Sequence, residues 1–150
     1  MKVQTYYFNE IEISEEDIFT FEHGLPGFES LRRFALLSSE DHAFFRYLQS
    51  IEDKDVVFLV IEPFLLYSSY EFDLPKAVQD ELKIQDEKEI QVLSIITMSG
   101  KVEDGTINLM APIILNCAQK LGKQIILHDS AYRTKHPLSQ SASTAANGKE

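Results

Sequence analysis

The fold depends on one stretch of nine residues, Asn108-Leu109-Met110-Ala111-Pro112-Ile113-Ile114-Leu115-Asn116. An apolar run of this kind belongs to a buried strand or a buried helix. Pro112 argues against a continuous helix, because proline has no N–H to donate and clashes with the preceding turn. It also argues against one straight central strand, because it leaves a gap in the ladder. The stretch therefore predicts two short β-segments, broken or bulged at Ala111-Pro112, with each Asn bonding to nearby backbone at one end.

Turns and strands alternate on both sides of this stretch. Residues 100–105 and the pair Leu121-Gly122 are predicted turns, and residues 124–128 a further strand. Residues 3–8 alternate in period two, and Ile11 and Ile13 continue the pattern. By β-branched and aromatic content, further strands are predicted at 17–21, 33–38, 44–49, 56–61 and 89–98. Residues 64–72 are aromatic-rich and predicted to be irregular.

One short helix is predicted at about residues 74–83. Asp73 can cap it, and Pro75 suits its first turn, because the missing N–H of proline is not needed there. An apolar stripe lies on one face of this helix, since its members are four residues apart. The members are Leu74, Val78 and Leu82.

The fold class follows from the many short strands. Turns at about 8–12-residue spacing are typical of a sandwich or a small barrel. We expect a mainly β fold, a small antiparallel or mixed barrel-like domain with one short helix, over residues 1–138. The rest, residues 139–150, is polar and without apolar periodicity, and we expect it to be a disordered tail. Rigid turns or bulges are predicted at Gly24, Pro26, Gly27 and Pro112.

Composition limits the function classes. The 150 residues carry a net charge of −10, which disfavours direct binding to nucleic acid because phosphates would be repelled. No apolar run reaches about 18 residues, so no membrane span is expected. The start of the chain has no apolar region of the kind found in secretory signals, and the single cysteine cannot form an internal disulfide. These features together predict a cytoplasmic protein.

The acidic charge allows two interpretations. It can serve only to keep the protein soluble. It can also attract a basic partner and steer the encounter. Between Val3 and Leu31 there is no Lys or Arg but there are seven acidic residues, so we expect one strongly acidic face.

Motifs for catalysis or metal binding are missing from the sequence. The four histidines are scattered, and neither HExxH nor CxxC occurs. His128-Asp129-Ser130 has the letters of a hydrolase triad, but neighbouring residues of a strand point to opposite faces and cannot orient one another. We therefore expect no enzyme activity, no metal and no cofactor.

Aromatic residues are the more suggestive feature. The chain has 10 Phe and 6 Tyr. Near residues 44–48 and 64–70, large apolar side chains occupy both faces of a strand, whereas a core uses only one face. The second face is either a partner surface or is covered by another part of the chain, and the pattern alone does not separate these alternatives.

Five motifs, in order and spacing, resemble the FliW family of flagellar assembly factors. They are Gly24-Leu25-Pro26-Gly27-Phe28-Glu29, Leu48-Gln49-Ser50, Asn108-Leu109-Met110-Ala111-Pro112-Ile113, Gly122-Lys123-Gln124-Ile125-Ile126-Leu127 and Tyr132-Arg133-Thr134-Lys135-His136-Pro137-Leu138. Each motif is weak alone, but the five together cover about residues 3–138. The resemblance implies a non-enzymatic cytoplasmic regulator that binds flagellin before export. It also implies a second partner, CsrA, a basic dimeric RNA-binding repressor that the freed factor prevents from blocking the flagellin message.

Candidate contact residues follow from combining the composition with this resemblance. For CsrA we expect the acidic face to repel RNA, through Glu10, Glu12, Glu15 and Glu16. For flagellin we expect an aromatic groove for an amphipathic helix, including Phe45, Tyr67 and Tyr70. A bulge can re-aim side chains at a working surface, which adds Val102, Glu103, Asp104, Asn108 and Met110. We expect a monomer when free. Two alternatives are a small barrel that binds single-stranded nucleic acid and a barrel with a ligand in its interior.

Overall fold

The computed structural model describes residues 1–40, 42–128 and 130–138, without the side chains of 42, 43, 99 and 101–103. The tail predicted at residues 139–150 lies outside this description. The strands are β1 Lys2–Thr5, β2 Asn9–Glu12, β3 Ile18–Thr20, β4 Arg33–Ser39, β5 His42–Ser50, β6 Val57–Ile61, β7 Ile90–Ser99, β8 Lys101–Ile107, β9 Ile113–Asn116, β10 Leu121–Gln124 and β11 His136–Pro137. One helix, α1 Lys76–Glu81, and three short 3-10 turns, Glu15–Asp17, Pro63–Leu65 and Glu87–Glu89, complete the described elements.

Seven of these strands close a barrel. β3 to β7 follow one another as antiparallel neighbours, β7 also pairs with β9, and β9 pairs with β10. The ring closes where β10 runs parallel to β3, with Leu121 opposite Thr20. β8 and β11 extend the sheet beyond β7, and β1 with β2 forms a separate hairpin. The prediction of a mainly β, barrel-like fold with one short helix is confirmed.

The barrel interior is filled by apolar side chains. They are Phe19, Phe21, Leu25, Phe34, Leu48, Val60, Leu93, Ile113 and Leu115, each at most 4% exposed. Small barrels are commonly packed in this way, because the interior of about eight strands is just wide enough for side chains. These residues give no support to the alternative of a ligand held inside the barrel.

Three outer layers cover the barrel. The β1–β2 hairpin packs its Val3 against Ala35 and Leu37 of β4. Helix α1 packs on β9 through Val78 and Leu82. The irregular segment 63–72 and the C-terminal segment 130–138 pack on β7 and β8, in a cluster of Ile61, Tyr70, Ile96, Ile107, Leu109 and Leu138. These layers decide which parts of the barrel wall remain open to a partner.

Only the second half of the stretch 108–116 forms a strand. β8 ends at Ile107, and the chain bends before β9 begins at Ile113. The Asn108 side chain holds the bend, because its Oδ1 accepts hydrogen bonds from the backbone N–H groups of Met110 (3.1 Å) and Ala111 (3.0 Å). The prediction of two β-segments is therefore wrong for the first half, and the predicted bonding of Asn to nearby backbone is confirmed.

Both turns predicted beside this stretch are displaced. The turn between β7 and β8 is made at Gly100, with φ +95°, and not over residues 100–105. Gly122 lies in β10 rather than in a turn, and the predicted strand 124–128 is replaced by Leu121–Gln124. A Cβ on Gly122 would lie 2.5 Å from a ring carbon of Phe21, so this glycine serves close packing of the core and not chain reversal.

The single strand predicted near the N-terminus is a hairpin. β1 ends at Thr5, and Asn9 adopts φ +58° at the start of β2. The hydroxyl of Thr5 donates to the Asn9 carbonyl (2.9 Å) and accepts from the Phe8 N–H (2.8 Å), which fixes the reversal. The prediction failed here because the turn residues Tyr6, Tyr7 and Phe8 are aromatic, a residue type that is enriched in strands.

Helix α1 is shorter than predicted. It spans Lys76–Glu81, and no side chain caps its start, so the capping role predicted for Asp73 is wrong. Pro75 occupies the cap position itself. The predicted apolar stripe is correct, since Val78 and Leu82 are buried against β9 and Leu74 packs beside them. Tertiary packing therefore holds this one-and-a-half-turn helix, as expected for a helix too short to be stable alone.

Candidate partner-binding surfaces

The four predicted acidic contacts belong to two consecutive elements. Glu10 and Glu12 belong to β2, and Glu15 and Glu16 to the first 3-10 turn. Ser14 fixes that turn, because its hydroxyl accepts from the Glu16 N–H (3.1 Å) while Asp17 accepts from the Ser14 N–H (3.2 Å). All four glutamates are exposed.

Cations of the same chain partly neutralise this acidic face. Glu10 lies 4.0 Å from the Lys2 ammonium, and Glu15 lies 3.5 Å from the Arg33 guanidinium. Glu12 pairs with the amino group of Met1. Exposed pairs of this kind are weak and compete with solvent, so the glutamates stay available to a partner, but their field is smaller than their number suggests.

The predicted aromatic contact Tyr70 is part of the core. It is only 3% exposed, and its hydroxyl donates to the Leu109 carbonyl (2.7 Å). Tyr132 packs edge-on against it, with ring centroids 4.6 Å apart. Burial raises the pKa of the Tyr70 phenol, and the neighbouring Tyr132 raises it further. The prediction that Tyr70 lies on an exposed surface is therefore wrong, because the C-terminal segment covers it.

Tyr67 and Phe45 are half-buried in the same cluster. The Tyr67 hydroxyl donates to the Pro137 carbonyl (2.6 Å), which ties the irregular segment to β11. Burial raises the pKa of Tyr67, and the same cause, followed by the charge of Arg133, lowers the pKa of His136. Both aromatic residues thus join outer layers to the barrel, and only part of each is open to solvent.

An apolar groove lies beside this cluster, on the outside of β7 and β9. It has a volume of about 240 Å³. Its lining residues are Phe64, Tyr70, Glu71, Phe72, Leu74, Ile90, Val92 and Ile114. Phe64 is 45% exposed and its neighbour Leu65 52%, so large apolar groups continue from the groove onto the surface. An apolar surface of this kind suits a partner helix.

Phe64, an exposed aromatic residue of this groove, was not among the predicted contacts, whereas the buried Tyr70 was. Phe64 follows Pro63, which starts a 3-10 turn, and this turn presents the Phe64 ring outwards while Tyr70 turns inwards. The proline was the available signal, because it fixes the backbone of the turn. Nothing in the sequence indicates that Ile90 and Val92 line the groove, because this depends on which part of the outer face of β7 stays uncovered in the fold.

The candidates from the central stretch have mixed positions. Asp104 is exposed on β8, whereas the side chains of Val102 and Glu103 lie outside the described residues. Asn108 is engaged in its own bend. Met110 is half-buried, and its backbone donates to the Arg133 carbonyl (3.1 Å) and accepts from the Leu127 N–H (2.8 Å).

The residues predicted to shape the chain do so. Gly24 and Gly27 have φ of +65° and +87° on either side of Pro26, so the predicted turn is confirmed. Pro112 is buried at the end of the bend, where its carbonyl accepts from the Ile125 N–H (3.0 Å). It precedes β9 and is not a bulge within a strand.

Gln49, the central residue of the motif Leu48-Gln49-Ser50, holds three parts of the chain together. This side chain is 1% exposed and lies beneath the β1–β2 hairpin. Its Oε1 accepts from the Tyr6 N–H (3.1 Å), and its Nε2 donates to the carbonyls of Ser50 (3.0 Å) and Lys54 (3.1 Å). One amide therefore joins the hairpin, β5 and the following loop, which is a structural role.

Candidate metal-binding clusters and membrane-spanning helices are both missing from the described part of the chain. No group of three His, Cys, Asp or Glu residues in it could hold a metal ion. None of its helices has both the length and the apolar character needed to cross a membrane.

Comparison with known proteins assigns the family. The sequence model described as FliW protein matches residues 2–138. The flagellar assembly factor FliW of Bacillus pumilus is 41% identical over 143 residues, covering 95% of this chain and 99% of the relative. That of Clostridium novyi is 43% identical over 138 residues, covering 92% and 96%.

A solved structure agrees with these relatives. The crystal structure of a flagellar assembly factor FliW matches with a TM-score of 0.87 and 40% identity, covering 92% of this chain and 96% of that one. Family match, relatives and fold are thus consistent over nearly the same residues. The chain belongs to the FliW family of flagellar assembly factors.

Proposed function

We propose that this chain is a cytoplasmic, non-enzymatic regulator, monomeric when free, that exchanges two protein partners. It holds flagellin before export through an apolar contact. When flagellin has left, the freed factor binds CsrA and stops that repressor from blocking the flagellin message. Membership of the FliW family supports this proposal, and the exposed apolar groove beside Phe64 is the observation on which the flagellin contact depends.

The groove suits an amphipathic helix. Its apolar lining includes Ile90 and Val92 of β7, Ile114 of β9, and the aromatic residues Phe64 and Phe72. A helix that inserts apolar side chains spaced three or four residues apart would bury this surface and its own apolar face together. The terminal segments of flagellin are amphipathic helices in the filament, so they need such a cover while they are held in solution.

Replacing Phe64 by alanine should weaken flagellin binding at least about tenfold, because a large aromatic anchor at an interface contributes about 1–2 kcal/mol or more. Isothermal titration calorimetry with purified flagellin measures the change. Phe44→Ala is the matched control, since Phe44 is 67% exposed and does not line the groove. Equal affinity of both variants and the unchanged protein, with circular dichroism showing intact folds, would remove the groove from the flagellin contact.

The acidic face supports the second half of the proposal. The chain has a net charge of −10, and four of its exposed acids lie on β2 and the 3-10 turn that follows it: Glu10, Glu12, Glu15 and Glu16. A basic RNA-binding partner would be attracted there, and phosphate would be repelled from its neighbourhood. Because the face is exposed, salt should weaken both the attraction and the repulsion. At ionic strengths of about 0.1–0.15 M, the electrostatic potential decays over about 8–10 Å.

Replacing these four glutamates by glutamine should slow association with CsrA about tenfold or more at low ionic strength and weaken the block of RNA binding. Stopped-flow kinetics at low and high salt measures the rate, and competition with labelled RNA measures the block. The matched control neutralises four exposed acids elsewhere: Glu22, Glu40, Asp53 and Asp55. An unchanged RNA block in the first variant would show that these glutamates are not its source.

A further inference from the structure

The apolar groove adjoins an acidic pocket. This pocket, of about 340 Å³, lies between α1 and the third 3-10 turn. Phe72, Leu74 and Ile90 line both spaces, and we call the two together the trough. The other residues of the acidic pocket are Asp73, Gln79, Ile84, Gln85, Asp86 and Glu87.

Every charged side chain that lines the trough is a carboxylate. They are Glu71, Asp73, Asp86 and Glu87, and no Lys or Arg of the described chain lines either part. Three lysines lie in the neighbouring chain segment 76–88. Lys76 pairs with Asp80 at 2.7 Å, and Lys83 and Lys88 are exposed. An apolar groove that adjoins four carboxylates is complementary to a partner that is apolar and then basic.

Local hydrogen bonds hold the acidic end of the trough in position. Asp86 accepts from the Lys88 N–H (2.9 Å) and so caps the 3-10 turn. Glu89 closes the reciprocal half of this capping box, accepting from the N–H groups of Gln85 (3.0 Å) and Asp86 (3.3 Å). Because the backbone of this turn is fixed before a partner arrives, little ordering is required when a cation enters.

We infer that the trough binds an amphipathic helical segment of a partner protein that carries a Lys or Arg just beyond its apolar stripe. The apolar side chains fill the groove between Phe64 and Ile90, and the cation enters the pocket beside Asp86 and Glu87. An acidic residue at the same place is rejected by like charge. This inference rests on the proposed function, which it deepens by specifying the chemistry of the segment that is held.

Three labelled helical peptides test the inference on the full-length chain by fluorescence anisotropy. They share Leu anchors at positions i, i+3, i+4 and i+7, and differ only in the residue one turn beyond, which is Lys, Gln or Glu. We expect affinity to fall in that order, with about a tenfold span between Lys and Glu at low salt and a smaller span at high salt. Equal affinities for the three peptides, or no binding by any, would overturn the inference.

Two variants test whether the preference for the Lys peptide arises in the trough. The double variant Asp86→Asn, Glu87→Gln should lose the preference for the Lys peptide while binding the Gln peptide as before, because Asn retains the capping hydrogen bond. Phe64→Ala should weaken all three peptides. The matched control, Glu15→Gln with Glu16→Gln on the acidic face, should leave the preference unchanged. A Lys preference that persists in the first double variant would assign it to another surface.

Binding of flagellin to the same variants distinguishes a failure of this inference from a failure of the proposed function. If flagellin binds the unchanged chain but neither Phe64→Ala nor the Asp86, Glu87 double variant affects it, the trough is not its site and the inference fails while the function stands. If the Lys peptide binds as expected and flagellin does not bind at all, the trough serves another basic segment and the proposed function fails.

Discussion

Replacing Gly24 by alanine should lower the free energy of unfolding by about 3 kcal/mol or more. Gly24 adopts φ +65°, in the left-handed region, where a Cβ costs about 1–2 kcal/mol. A Cβ there would also lie 2.6 Å from the Phe28 carbonyl oxygen and 2.7 Å from the Cα of Glu29. Both atoms belong to the backbone, so no side-chain rotation relieves the contact, and overpacking adds about 1–3 kcal/mol.

Gly27 provides the matched control in the same turn. It also has a positive φ, +87°, but a Cβ on it would meet no atom within 4 Å. Gly27→Ala should therefore cost only the conformational part, about 1–2 kcal/mol. The difference between the two variants isolates the steric contact.

Urea unfolding followed by circular dichroism measures both variants under one set of conditions. We expect the midpoint of Gly24→Ala to fall well below that of Gly27→Ala, with similar m-values. If the two variants had the same midpoint, the contact of a Cβ at Gly24 with the backbone of Phe28 and Glu29 would not contribute to the loss of stability. Leu25, which is 1% exposed inside the barrel, shows what depends on this turn, because the turn places it there.

The barrel wall was largely predictable from the sequence, but its closure was not. β4, β5, β6 and β7 were expected within one or two residues, because their apolar and β-branched content is local information. Closure depends on the pairing of β7 with β9 and on a short parallel contact between β10 and β3. Such long-range pairings leave no periodic signal. The sequence predicts a turn at Gly122 because the packing partner of this glycine, Phe21, is distant in sequence.

For the candidate site, the sequence predicts the kinds of surface but not the residues that form them. Aromatic surface and acidic surface were both expected, but Tyr70 and Phe64 have equivalent patterns in the sequence. The structure separates them because the C-terminal segment returns over one and not the other: the Tyr132 hydroxyl accepts from the Glu71 N–H (3.1 Å), and Tyr132 lies against the Tyr70 ring. The face of an irregular segment that becomes covered depends on the packing of distant segments, so the local sequence does not predict it.

The residues that carry the family resemblance mainly support the fold. Gln49 joins the hairpin to the barrel, Asn108 holds a bend, and Gly24 and Gly122 permit close packing. Motifs of this kind identify the fold securely, since each answers a local geometric need. They do not determine which aromatic side chains stay exposed, and for this reason Tyr70, predicted as a surface contact, lies in the core although the family resemblance is correct.

Replacing Asn116 by alanine should lower the free energy of unfolding by about 3 kcal/mol, and this effect tests the last residue of the central stretch. Asn116 is fully buried, and its Nδ2 donates to the Leu82 carbonyl (2.8 Å) at the end of α1. Its Oδ1 accepts from the N–H groups of Ala118 (2.9 Å) and Gln119 (3.1 Å). Each buried polar group left without a partner costs about 1–3 kcal/mol, because water cannot reach it.

Asn108→Ala is the matched control at the other end of the stretch. Its Oδ1 accepts hydrogen bonds from two backbone N–H groups in the same way, but Asn108 is half-buried and both groups belong to its own bend, so water can replace the side chain. We expect a loss of about 1 kcal/mol. Urea midpoints compare the two, and a loss for Asn116→Ala no larger than for Asn108→Ala would contradict the role of Asn116 in tying α1 to the barrel. Because α1 borders the trough, a detached helix should also weaken the Lys peptide, which Asn108→Ala should not.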